Sequence, residues 1–502
     1  SFNKQHNLNV SAGWEAASGT TESTNAHYRG FPSGEFHSLN YAAEVYKKPT
    51  RTENTTRRVS VLASANYTWN DIYLVDASVR FDGSSEFGAN QKWAPFFSGG
   101  LGVNIHNYDF FKSNGYINKL KLRASYGRTG KVNFPAYAAT TMYETLFDEW
   151  YITGYGAVLK ALGNKDLTWE KTDKLSVGIE TKTFHDRLTV DFEYYYNKTI
   201  DLVNDVTLSQ TSGFSTYKDN MGQVANKGVE LKLRADIYRD RNWNVALWGN
   251  MAHNKNEILK ISDSQKAYNE RVAAYYKNEA LYQETLGLSH GAEYSVPLPQ
   301  YEEGASLTSI WAVRSLGIDP TTGKEIFLNR DGSIADKWNA AQEVVVGNTE
   351  PKCSGAFGLN LSYKNWTLFA SFLYEWGGQE YNQTLVNNVE NADLVNKNVD
   401  LRVLTDRWKK PGDIAQFKDI KDRGMTTLPT SRFVQDKALV RLNSLNVSYD
   451  FNRDWIKKHL RMNLLRLEAS TSDLINWSSI KQERGLSYPR SWKVEFSLKA
   501  QF

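Results

Sequence analysis

Cysteine is almost missing: Cys353 is the one such residue in 502. It cannot form an internal disulfide or supply a thiolate zinc cluster, so burial and hydrogen bonds must hold the framework. Proline is sparse at 11 and glycine, at 34, is near average, which excludes collagen-like and disordered Pro/Gly-rich chains. No apolar run approaches eighteen residues, which excludes transmembrane helices. It does not exclude a membrane, because a spanning β-strand needs only about ten residues with every second one apolar. An excess of either charge is lacking too. Lys and Arg number 60 against 56 Asp and Glu, a net of +4, too balanced for a nucleic-acid footprint. HExxH, P-loop, GxSxG and paired-cysteine motifs are missing and the eight His are scattered, so nothing points to a catalytic residue, a metal site or a cofactor. Residues 1 to 5, Ser-Phe-Asn-Lys-Gln, show no signal-peptide pattern.

What is present is aromatic weight, with 15 Trp, 28 Tyr and 23 Phe, and a period of two. Leu188, Val190, Phe192, Tyr194 and Tyr196 alternate with Thr189, Asp191, Glu193, Tyr195 and Asn197. Val229, Leu231 and Leu233 interleave with Glu230, Lys232 and Arg234, and Trp492, Val494, Phe496 and Leu498 with Lys493 and Glu495. A helix would not keep this spacing, so the chain is read as all-β. Fourteen spanning strands are expected, at about 2–17, 59–69, 72–81, 93–105, 119–129, 168–182, 187–200, 225–238, 243–257, 355–363, 366–376, 438–451, 460–474 and 489–502. Many are longer than the five or six residues usual in soluble proteins.

The connections alternate in size. Asn70-Asp71, His185-Asp186, residues 239 to 242 and Lys364-Asn365 are short, whereas 18–58, 130–167, 201–224, 258–354 and 377–437 are long and polar. Short turns on one side and long loops on the other are the plan of an outer-membrane barrel, with the long loops extracellular. Trp69, Tyr73, Phe184, Tyr238, Trp243, Tyr363 and Trp366 flank the short turns, where rings form an interfacial girdle. Segments 136–160 and 308–329 read as hairpins within the outer loops. A soluble sandwich or propeller also alternates, but no repeat of about forty residues supports a propeller.

In a barrel the greasy positions Leu188, Val190, Phe192, Val229, Leu231, Leu233, Trp492, Val494, Phe496 and Leu498 face lipid. Lys121, Arg123, Asp191, Glu193, Glu230, Lys232, Arg234, Lys493 and Glu495 then face the lumen, because a basic residue at mid-depth in lipid costs about 2–4 kcal/mol. The loop aromatics Tyr301, Trp311, Trp338, Trp376 and Tyr381 are candidate contacts to a ligand or a lid; packing loops together is the other use of such rings. Asp-Gly turns at 82–85, 319–323 and 331–333 lack the full calcium-loop spacing and read as turns.

Several segments stand out in order: Val79-Arg80-Phe81-Asp82-Gly83-Ser84-Ser85-Glu86-Phe87-Gly88, Leu120-Lys121-Leu122-Arg123-Ala124-Ser125-Tyr126-Gly127, Leu167-Thr168-Trp169-Glu170, Asn220-Met221-Gly222, Asn226-Lys227-Gly228-Val229-Glu230 and Tyr488-Pro489-Arg490 leading to Phe502. Together they resemble the carboxy-terminal part of the SusC/RagA family of TonB-dependent outer-membrane transporters, typical of Bacteroidetes. The resemblance covers most of the chain. The family's plug, TonB box and first strands have no counterpart here, and Gly163-Asn164-Lys165-Asp166 stands where the family more often has Asn-Pro. The family barrel is of the 22-stranded plugged type, which implies that this chain is part of a longer protein and that its fourteen strands form an open wall whose first and last strands do not pair. It further implies TonB-dependent nutrient import, with a SusD-like lipoprotein as lid, TonB acting through the amino-terminal part, and transporter–lid pairs that could dimerise. Glycan import is the first reading and oligopeptide import, as in RagA-like members, the second. An outer-membrane adhesin or barrel enzyme is the alternative of another class.

Overall fold

The computed structural model describes residues 5–502 except 33–37, 113–115, 133, 135–136, 153, 208–215, 221, 264, 268, 271–300, 340–341, 397–398, 423–426, 452 and 482–490. The motif at 488–490, the residues at 213–215 and part of the 258–354 connection therefore lie outside the described residues.

One large antiparallel sheet dominates. Its strands are His6–Arg29, Glu44–Trp69, Tyr73–Ser84, Trp93–Asn104, Ile117–Lys131, Glu170–Thr183, Leu188–Ile200, Gln223–Arg239, Trp243–Lys260, Cys353–Tyr363, Trp366–Tyr381, Val434–Asp450, Leu464–Thr471 and Val494–Gln501, each hydrogen-bonded to the next. These are the fourteen expected strands in the expected order, and the first and last of them do not pair with each other. A short strand, Asn476–Ser478, pairs beside them on Val434–Asp450.

The main departure is the first connection. Residues 18–58, expected as a loop, mostly continue the first hairpin, with Ser18 opposite Arg57 and Arg29 opposite Glu44. This stretch is rich in Thr, Ser, Asn and Arg, so it carries no apolar alternation, yet threonine suits a pleated strand whatever its polarity. The last two strands are shorter than expected, and a helix at Arg453–Leu460 occupies part of the connection before them.

Short turns stand at one end of the sheet. Asn70 and Asp71 have φ of 52° and 55°, the left-handed pair of a tight turn that matches strand twist, closed by the Ile72 amide on the Trp69 carbonyl at 2.9 Å. The expected rings gather there: Trp69 stacks on Tyr73 at 5.3 Å, Trp243 lies 4.2 Å from Tyr363, and Trp366 lies 4.8 Å from Tyr449.

Several segments that carry the family resemblance meet in space at the other end. Phe87 stacks on Trp169 at 4.3 Å, and both belong to a buried cluster with Phe96, Phe134 and Leu167. The Gly88 amide donates to the Leu167 carbonyl at 3.0 Å, and a Cβ at Gly88 would sit 1.9 Å from the Lys165 carbonyl oxygen, so only glycine fits this approach. Asn220 accepts from the Thr168 amide at 2.7 Å and donates back to its carbonyl at 2.9 Å.

Candidate functional site

Cross-strand register sorts the wall into two faces. One row runs Val103, Leu122, Ile179, Phe192, Leu231, Met251. The neighbouring row, offset by one residue, runs Lys121, Glu180, Asp191, Lys232, Asn250. Alternation thus propagates across strands into one continuous apolar side and one continuous charged side.

Opposite charges interlock on the second side. Arg123 donates to Asp191 at 2.8 Å and to Glu193 at 2.6 Å, Lys119 pairs with Glu180 at 2.6 Å, and Arg80 donates to Asp82 at 2.5 Å and to Ser60 at 2.9 Å. Toward the short turns Arg466 grips Asp450. Arg234 reaches Asp236 at 3.4 Å, and at the final strand Lys493 pairs with Glu495 in the open. Glu230 and Lys232 are exposed.

At the long-connection end, segments from 301–350 and 382–433 fold together into a small head. Its sheet is ordered Ile334–Ala335, Glu325–Leu328, Ser309–Ile318, Glu343–Asn348. The expected hairpin at 308–329 is the middle of it, and the one at 136–160 is the pair Met142–Tyr151 and Gly154–Ala161. Leu385, Val386, Val389, Val403, Phe417 and Phe433 form the head's buried cluster. Arg432 crosses between the two connections, donating to Glu325 at 2.8 Å and to Glu390 at 2.7 Å with all three side chains nearly out of solvent. Burial alone would weaken its charge, but the hydrogen bonds to the two carboxylates outweigh that and hold the guanidinium above its ordinary range. Arg407, also buried, donates to the carbonyls of Val403, Lys418, Val389 and Glu390. Asp400 is held below the usual carboxylate range by the Arg402 side chain and amide and by Lys481. None of these contacts is legible in the sequence, because nothing in local spacing pairs Arg432 with Glu325, 107 positions away.

The five aromatics expected to meet ligand or lid are dispersed. Trp338 donates its indole N–H to the Pro429 carbonyl at 2.9 Å, and Tyr381 packs edge-on against Phe433 at 6.2 Å, where burial pushes its hydroxyl up to about 12. Trp311 is half-buried opposite Val345 in the head sheet, and Tyr301, also half-buried, accepts from Asn269 through its carbonyl at 2.9 Å. Trp376 stands on the apolar side of the wall, opposite Cys353 and Ala438, and is 69% exposed. Asp319 accepts from the Thr321 amide at 2.9 Å and from the hydroxyls of Thr321 and Thr322, each at 2.7 Å, as an Asx turn does. No group of three or more His, Cys, Asp or Glu able to hold a metal occurs among the described residues.

A two-faced antiparallel wall, apolar on one side and charged on the other, with a ring girdle at its short-turn end, is the architecture of an outer-membrane β-barrel. Comparison with known proteins agrees: residues 1–464 match the family described as TonB dependent receptor-like, beta-barrel, and the chain belongs to that family. It is 28% identical over 485 residues to TonB-dependent receptor P3 of Formosa agariphila, covering 94% of this chain and 46% of that protein. It is 29% identical over 255 residues to TonB-dependent receptor SusC of Bacteroides thetaiotaomicron, covering 48% of this chain and 25% of SusC. Among solved structures, the RagAB peptide importer in its open-open state superposes with a TM-score of 0.82 at 23% identity, over 100% of this chain and 53% of that one, a likeness of fold. The chain spans about half the length of the first two curated relatives it matches.

Proposed function

We propose that this chain is the wall of a TonB-dependent importer that carries oligosaccharides across the outer membrane beneath a SusD-like surface lipoprotein. The observation that carries this reading is the pairing of a two-faced wall with a compact head made from its two longest connections. The wall holds a wet passage in lipid, and the head offers a shaped surface at the end opposite the short turns. In this arrangement the long connections are extracellular, and Leu188, Val190, Phe192, Val229, Leu231, Leu233, Trp492, Val494, Phe496 and Leu498 meet lipid. The charged side, including Lys121, Arg123, Asp191, Glu193, Glu230, Lys232 and Arg234, lines the lumen.

Oligosaccharide is favoured because much of the inner charge is already satisfied within the wall, which suits a neutral polyol, and because Tyr301 and Trp311 keep part of their surface open at the head. Peptide is the second reading, prompted by the likeness of fold to a peptide importer. The lumen guides and the lid encloses, while force through TonB would act on parts of the protein other than this wall.

The test is purification of the native complex in mild detergent with identification of co-purified proteins and bound oligomers. A lipoprotein with bound glycan supports the reading, a peptide ensemble moves the cargo to the second, and a barrel without a lipoprotein whose loss alters growth on no polymer overturns it.

A further inference from the structure

Like charges directly opposite each other on one face of an antiparallel pair repel. The apolar side of the wall nevertheless places Lys227 of Gln223–Arg239 opposite Lys255 of Trp243–Lys260, both exposed and both at the long-connection end. Neighbouring charges at this level are matched: Arg128 makes two hydrogen bonds to Asp173, at 2.6 and 2.9 Å, and Lys171 lies 3.0 Å from Asp201. Lys255 has an exposed contact with Glu257 at 3.3 Å. Lys227 and Lys352 have no carboxylate within ion-pair distance among the described residues.

Lys255 and Lys352 line one open cleft of about 560 Å³ together with His253 and Trp376; Glu350 and Asp436 also border it. Those two acids are turned to other partners, Glu350 accepting from Asn254 and Asn256 and Asp436 from Gln379. His253 points Nδ1 at the Lys352 carbonyl, 2.7 Å away, and the Lys352 stem lies against Gly377. Tyr196 is in register with Lys227, and the row below it runs Tyr194, Val229, His253, continuous with the apolar face. Cations above aromatic rings above an apolar band match, in order, the layers of an anionic lipid: phosphate, interface, acyl chain.

We propose that Lys227, Lys255 and Lys352, with His253 and Trp376, bind the phosphate of an outer-leaflet lipid whose acyl chains lie along the apolar face. An anion there removes the Lys227–Lys255 repulsion, and the chains hold it in place. The proposal rests on the lipid-facing assignment of this side.

The experiment uses the intact protein in mild detergent, presented with mixed micelles of diphosphoryl lipid A or its dephosphorylated counterpart and read by native mass spectrometry. Phosphorylated lipid should be retained, and combined Lys227→Gln, Lys255→Gln and Lys352→Gln substitutions should lower its occupancy at least about tenfold, about 1.4 kcal/mol for the three together. Lys232→Gln, on the opposite face, should leave it unchanged. Equal retention of the dephosphorylated lipid, an unaffected triple variant, or complete displacement by millimolar inorganic phosphate would overturn the lipid site. Loss with Lys232→Gln but not with the triple variant would show instead that the faces are reversed.

Discussion

Leu233 in the wall is 42% exposed and Phe433 in the head is 1% exposed, although both are large apolar side chains at the heart of their own regions. The wall has two surfaces and almost no interior. Ladder hydrogen bonds satisfy its backbone, and its greasy residues are satisfied only where hydrocarbon touches them. The head has an interior of the ordinary kind, with a buried cluster, a buried ion triad and carbonyls held by Arg407. The difference teaches that the membrane completes the wall, whereas the head must complete itself.

The sharpest way to break this comparison is to remove Arg432. Arg432→Met leaves Glu325 and Glu390 buried without a counter-charge, so the head should lose about 3–5 kcal/mol while the wall stays folded. Hydrogen exchange read separately over 301–350 and 434–450 checks it. Equal loosening of both stretches would mean that head and wall are one cooperative unit.

Next comes Leu231→Arg, near the middle of its strand. Placed in lipid it should cost about 2–4 kcal/mol in bilayer refolding, and Asp191→Asn on the other face less than about 1 kcal/mol. Thiol probes sharpen the same contrast: a water-soluble reagent should label position 191 and spare position 190 in the assembled protein. The reverse labelling would invert the two faces.

A third prediction separates the regions by pH. Glu343, 1% exposed in the head, has its carboxyl pushed up to about 7 by burial, with Arg330 opposing weakly, and its Oε1 has no hydrogen-bond partner. The folded head then binds this proton more tightly than the unfolded chain does, so the group favours the fold at low pH. That contribution fades as pH rises from about 4.5 toward 7. By linkage the loss should be on the order of 2–3 kcal/mol, and Glu343→Gln should flatten the profile. Proteolysis of the head at pH 5 and pH 8 would show it, and an unchanged slope in the variant would assign the dependence to another group.

The smallest effect is expected at Lys232. Charged, exposed and in the charged row of the wall, it should tolerate Gln within about 0.5 kcal/mol in bilayer refolding. A larger loss would reveal a partner that the wall alone does not show.

Much of the wall was legible because a strand reports its facing through neighbours two residues away. Phe192 and Leu231 alternate with Asp191 and Lys232 in sequence, and they meet their counterparts across the ladder for the same reason. The ribbon of residues 18–29 and 44–57 was missed because Thr, Ser and Arg make strands without an apolar signature. Trp376 was grouped with the loop rings by its place at a strand end, whereas the parity of Phe372 and Tyr374 puts it on the apolar side.

Strand number, order, turn chemistry and the two faces follow from the sequence by itself, because each is a property of neighbours along the chain. The head and the Lys227–Lys255 rim were decided by tertiary structure alone. Trp338 reaches Pro429 across 91 positions and Arg432 reaches Glu325 across 107, and no periodicity extends that far. Opposing lysines become a site only when register brings two strands into line. Repulsion, burial and shared protons act between groups that are close in space, and the chain brings those groups together only by folding.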